Sequence, residues 1–133
     1  MKCPVCETEM IILELEQVEI DYCTFCKGIW LDEGELELLL GSTEESHQLM
    51  DTLKQDTATR EIPRPCPRCK RKMQKVSFEE SNEILLDKCK KGHGLWFDEG
   101  ELHELVKRVS GDQQSKIVHL LQEMFANDLK NNG

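Results

Sequence analysis

The chain has 133 residues, a formal charge of −9, 38% apolar residues, 5% aromatic and 32% charged. That describes one ordinary domain or two very small ones, with a core thin enough to need a structural metal or disulfides. No stretch approaches the roughly 18 apolar residues of a transmembrane helix, and Met1-Lys2-Cys3 opens without the apolar run of a secretory signal.

Seven cysteines, an odd number with no secretory run ahead of them, argue against a disulfide framework. The expectation is a reducing, cytoplasmic setting in which the thiols hold metal. Residues 1–62 carry 4 Lys/Arg against 15 Asp/Glu, whereas residues 63–133 carry 13 against 11. The acidity argues against a surface that binds nucleic acid as a whole, but leaves the second half open to it.

In chain order the sequence reads as one unit used twice. Cys3-Pro4-Val5-Cys6 opens the first copy as a tight turn. Met10–Leu15 and Val18–Tyr22 predict two short strands with the tip at Glu16-Gln17. A second CxxC turn at Cys23 and Cys26 is followed by Trp30-Leu31-Asp32-Glu33-Gly34-Glu35-Leu36. Asp32 with Glu35 predicts a capping box and a short helix, apolar at Leu36, Leu39 and Leu40 and stopped by Gly41.

Ser42–Thr59 predicts a linking helix with a stripe of Leu49, Met50 and Leu53. Pro63 and Pro65 stiffen the linker that follows it. Cys66-Pro67-Arg68-Cys69 opens the second copy, with strands expected over Met73–Phe78 and Ile84–Lys88. Three extra residues near Glu79–Glu83 fit a longer hairpin tip. Trp96-Phe97-Asp98-Glu99-Gly100-Glu101-Leu102 then repeats the first copy's signature 66 residues on, with a helix apolar at Leu102, Leu105, Val106 and Val109. Residues 112–133 predict an amphipathic C-terminal helix.

The expected fold is therefore a small metal-stabilised α+β chain of two tandem zinc ribbons, each a short hairpin plus a short helix. Its segments are 1–41, a helical and proline-containing linker over 42–65, a second ribbon over 66–111, and the helix over 112–133.

The ligand reading follows from spacing. Cys3-x2-Cys6, sixteen residues, then Cys23-x2-Cys26 is the spacing of a four-thiolate zinc site. Each pair presents two thiolates from one turn, and four close a tetrahedron about the ion. The second copy has Cys66, Cys69 and Cys89, with Gly92 where Cys26 would fall; His93, one residue on, supplies the fourth ligand. Two zinc ions per chain are expected. Iron, as in thiolate electron-transfer proteins, is the alternative at the first site. His47, His103 and His119 have no ligand-spaced partners and read as helix-surface residues. Trp30 and Trp96 read as core side chains under their hairpins rather than as platforms for bases.

These residues resemble the TFIIB-type zinc-finger family. Its pattern stands here as Cys3-Pro4-Val5-Cys6 with Cys23-Thr24-Phe25-Cys26-Lys27-Gly28-Ile29-Trp30-Leu31-Asp32-Glu33-Gly34-Glu35-Leu36, and the second copy is similar to the histidine variant, Cys89-Lys90-Lys91-Gly92-His93-Gly94-Leu95-Trp96-Phe97-Asp98. Thr24 and Lys27 stand where the family often has Pro and Gly. The resemblance implies zinc binding and a zinc-ribbon fold, and little about cellular role.

Nothing in the sequence places a nucleophile beside a base, so the leading expectation is a non-enzymatic adaptor. The second is nucleic-acid or acidic-partner contact through Arg64, Arg68, Lys70, Arg71, Lys72, Lys75, Lys88, Lys90 and Lys91. Self-association or partner docking is expected through the stripe of Ile117, Val118, Leu121, Met124, Phe125 and Leu129. No membrane role is expected.

Overall fold

The computed structural model describes residues 1–15, 17–39, 51, 53–56, 62–78 and 81–110, with side chains omitted at 78, 81–83 and 107–110. In chain order the elements are β1 (Ile11–Leu15), β2 (Val18–Tyr22), β3 (Ile29–Asp32), α1 (Glu35–Leu39), β4 (Lys54–Gln55), β5 (Gln74–Phe78), β6 (Ser81–Lys88), β7 (Gly94–Phe97) and α2 (Glu101–Ser110). The C-terminal helix expected over 112–133 lies outside the described residues, as does 42–50 of the linking helix. At Lys54–Gln55 the chain is a strand pairing with Ser77 and Val76, which corrects the helix expected over Ser42–Thr59 at those two residues.

All seven strands join one antiparallel sheet in the order β1-β2-β3-β7-β6-β5-β4. Two of them, β3 and β7, fall where the sequence gives only a turn leading into a helix. They meet with Ile29 opposite Phe97, Trp30 opposite Trp96 and Leu31 opposite Leu95. The repeats thus run outward from a shared centre, β3-β2-β1 on one side and β7-β6-β5 on the other. The three extra residues of the second copy are absorbed in β6. As β5 steps from Ser77 to Phe78, the partner jumps from Leu85 to Ser81.

Side chains alternate across a strand, and the central strands separate two packed layers accordingly. Ile29, Leu31, Leu95 and Phe97 face one layer, with Ile20, Leu86 and the helix residues Leu36, Leu39, Leu102, Leu105 and Val106. Trp30 and Trp96 face the other, with Met10, Met73 and cysteines from both repeats. Burial on both faces explains why β3 and β7 are short and apolar rather than alternating.

Helices α1 and α2 both begin at glycine. Gly34 and Gly100 accept the first helical hydrogen bonds, from Leu38 and Glu104, and have φ of +87° and +82°. The capping box is half present: Glu35 accepts from the Asp32 backbone N–H at 2.6 Å. The Asp32 carboxylate does not cap the helix, because it accepts from Trp30 Nε1 instead.

Lys75 corrects another expectation. It points inward, its side chain 5% exposed, with Nζ 2.6 Å from the 1%-exposed carboxylate of Asp87. Burial holds the Asp87 carboxyl above the usual carboxylate range, against the opposing pull of Lys75 and Arg64.

Two stability predictions follow from this packing. A Cβ on Gly94 would lie 2.2 Å from the Leu31 carbonyl oxygen and 2.7 Å from the Trp30 ring, and backbone cannot yield. Gly94→Ala is expected to cost about 3 kcal/mol, against about 1 kcal/mol for Gly34→Ala, which meets no atom and carries only the φ penalty. Denaturation midpoints at fixed excess zinc compare the two, and equal losses would disprove the tight contact. Lys75→Met is expected to cost about 3 kcal/mol by leaving a buried carboxylate underpaired, while adding Asp87→Leu restores most of it. A double variant no better than the single would show that the pair is not the source of the loss.

Two candidate metal centres

Each centre is built from two knuckles, tight turns that leave a strand or bridge and return to the sheet. Three of the four close alike: Glu7, Lys27 and Lys70 donate their backbone N–H to the carbonyl of the cysteine four residues earlier, at 2.8–3.0 Å. Each of these three residues has φ of 66°, within the left-handed region. Backbone N–H groups also point at the sulfurs: Val5 to Cys3 Sγ and Arg68 to Cys66 Sγ at 3.4 Å, and Cys26 to Cys23 Sγ at 3.2 Å.

The fourth knuckle explains the missing cysteine. Here the N–H of Gly92 donates to the Cys89 carbonyl at 3.0 Å, and Gly92 itself has φ +80°. The chain enters the left-handed region one residue early, at the position equivalent to Cys26, where glycine is favoured. The ligand moves to His93, the position equivalent to Lys27, and the longer imidazole closes the set.

The donor atoms converge. Cys3, Cys6, Cys23 and Cys26 form one group and Cys66, Cys69, Cys89 and His93 the other, all donor atoms within 4.8 Å of one another in each. Zn–S bonds of about 2.3 Å in a tetrahedron require S···S edges of about 3.8 Å. Cys6 and Cys23 lie 3.6 Å apart, and Cys69 and Cys89 3.7 Å. His93 Nδ1 is 3.4 Å from Cys89 Sγ and 3.9 Å from Cys66 Sγ, and Zn–N of about 2.0–2.1 Å calls for edges of about 3.6 Å. These edges match those of a zinc tetrahedron in both donor sets. All seven cysteines are free thiols.

The thiols are unequal without metal. Burial pushes Cys3 and Cys66 up to about 11, and burial together with neighbouring thiols pushes Cys26 higher still. Cys6, beside the Thr8 hydroxyl and its backbone N–H, is drawn down to about 6. The buried thiols give up protons as the set closes around a metal.

The two centres share their packing. Cys3, Cys23, Cys66 and Cys89 belong to one buried cluster with Trp30, Trp96, Met10 and Met73. The tryptophans cross over. A Cβ on Gly28, in the first repeat, would lie 2.2 Å from the ring of Trp96; Gly94, in the second, faces Trp30 in the same way. Trp30 and Trp96 donate from Nε1 to Asp32 and Asp98 at 3.0 and 3.1 Å. Arg68, from the second repeat's first knuckle, also bonds Asp32 at 3.1 Å, and Arg64 bonds Asp98. The sequence identified the ligands but not this interlock; its only trace there is the pairing of Gly28 and Gly94 with the two tryptophans.

Of the nine basic residues proposed as a contact surface, Arg64, Arg68 and Lys75 are committed to carboxylates. Lys88 is half-buried. Lys70, Arg71, Lys72, Lys90 and Lys91 are exposed, all on or beside the knuckles of the second centre.

The interlock ties the packing of the two centres together. Emptying one centre loosens tryptophan and glycine contacts behind the other. Metal-free protein titrated with zinc is expected to pass mainly to the two-zinc form, with the one-zinc form at midpoint below the half that equal independent sites require. His93→Ala is expected to weaken the intact first centre by about tenfold, a coupling of ordinary size. Native mass spectrometry with a competing chelator reads both, and an unchanged first-centre affinity would show the sites to be uncoupled.

The transcription factor zinc-finger family matches the chain over residues 2–42 and 65–108, one match on each repeat. Among curated proteins and solved structures, none matches it. The two matched segments cover more than half of the chain, each holding one complete ligand set that fits zinc. The chain binds two zinc ions and belongs to the TFIIB-type transcription factor zinc-finger family.

Proposed function

We propose that this protein is a non-enzymatic interaction module of a reducing, cytoplasmic setting, in which two zinc ions rigidify a surface shown to another protein. The observation that carries this is the closure of both donor sets. Four protein ligands around each ion leave no coordination position for a substrate or an activated water. The knuckles meanwhile project Val5, Phe25 and a cluster of lysines and arginines outward, with Phe25 75% exposed. Large apolar side chains exposed on rigid turns suit protein contact better than catalysis.

A nucleic-acid reading draws on Lys70, Arg71, Lys72, Lys90 and Lys91 around the second centre. Five exposed cations, not nine, remain to neutralise phosphates, and the first repeat's acidity opposes them. Iron at the first centre, which the cysteine spacing alone leaves open, would colour the purified protein, whereas the zinc protein is expected to be colourless.

The helical stripe of Ile117, Val118, Leu121, Met124, Phe125 and Leu129 supports self-association or docking as a second part of this reading, on sequence periodicity alone. A chain truncated after Gly111 is expected to retain two zinc ions by metal analysis and to lose self-association by light scattering. Loss of zinc on truncation, with a monomeric full-length chain, would assign that segment to the core instead.

A further inference from the structure

The first knuckles of the two repeats face each other across a groove of about 490 Å³. It is formed from equivalent strips of sequence, residues 2–7 and 65–70, brought together by the central strand pair. Its lining includes the buried ligands Cys3 and Cys66, with Pro4, Val5, Pro65 and Pro67 beside them. Arg68, equivalent to Val5, is held away by Asp32 and does not contribute to the lining.

Three prolines have fixed φ and no N–H to offer. The lining is therefore stiff before anything binds, which lowers the ordering cost of binding. It also cannot extend a strand through those positions, so an occupant is held by its side chains. The volume is that of a site for one or two large side chains. Lys2 and Lys70 border it from opposite strips, both exposed and in no ion pair within 4 Å among the described residues, with Glu9 feeling the charge of both. Glu7 is the one carboxylate in the lining.

We propose that this groove docks a segment of a partner protein that inserts a large apolar side chain between the two knuckles and sets carboxylates against Lys2 and Lys70. The inference rests on the interaction-module reading and names its surface. A nucleic-acid strand fits less well, because the lining offers no aromatic face for a base. Since Val5 and Arg68 donate backbone N–H groups to Cys3 and Cys66, an occupant also presses on the hydrogen bonds that hold two ligand sulfurs.

The test uses the zinc-loaded full chain and fluorescein-labelled synthetic peptides, glutamate-rich, with a central Leu, Phe or Ala. The Leu or Phe peptide is expected to bind, and the Ala peptide about tenfold more weakly, the difference of a few buried methylenes. Val5→Asp and Lys70→Glu are each expected to weaken binding by about tenfold or more while zinc stays at two per chain. Amide resonances of Val5 and Arg68 are expected to move on titration. Binding that both variants leave unchanged would overturn the groove and leave the interaction-module reading standing, since that reading rests on the closed donor sets and not on this groove. Absence of binding at millimolar peptide would also overturn it. Displacement of the peptide by a short oligothymidylate at equal concentration would overturn it in favour of a nucleic-acid strand.

Discussion

The antiparallel contact of β3 with β7 is the constraint on which the rest of the structure depends. It places Trp30 opposite Trp96 at the centre of a seven-stranded sheet. Each ring then reaches past its own repeat to cover a glycine of the other. Any side chain on Gly28 or Gly94 would force the rings off, so residues with no side chain govern how closely the halves meet. The alternation of side chains along the same two strands sends Ile29, Leu31, Leu95 and Phe97 to the helix layer. One strand pair thereby builds both cores.

The metal centres depend on that packing and support it. Four of the seven cysteines are buried in the tryptophan layer, a layer too small to stand by itself. Structural zinc contributes about 10–16 kcal/mol to peptides of this kind, enough to offset the ordering of a short hairpin. The replacement of a cysteine by His93 needs no change in architecture. It needs the turn to go left-handed one residue early, and glycine at position 92 makes that possible.

The hairpin strands and all eight ligands were legible in the sequence because their signals are local: alternation, tight-turn residues and fixed cysteine spacing. The central strands were not. Ile29–Asp32 has no run long enough to read as a strand, and its partner lies 66 residues away, so no short window contains the pairing. Lys75 read as a surface cation because nothing near it in sequence announces Asp87, which meets it across β5 and β6. Asp32 read as a helix cap, since Asp followed three residues later by Glu is that signal. The carboxylate had nearer donors in Trp30 and Arg68. The central strands and Lys75 have partners fixed by tertiary pairing, and Asp32 is drawn off both by a ring two residues back on its own strand and by Arg68 of the other repeat.

The central strand pair also bears on what a single copy could be. Severed between its repeats, the chain would leave β3 and β7 as bare edges, each with unpaired backbone groups, a buried-type tryptophan and a glycine shaped for a ring no longer present. Such an edge is a template for any matching strand. Because the two repeats carry the same strand signature, one copy alone could satisfy its edge with a twin. The duplicated sequence holds within one chain a junction that a solitary ribbon would have to make between molecules.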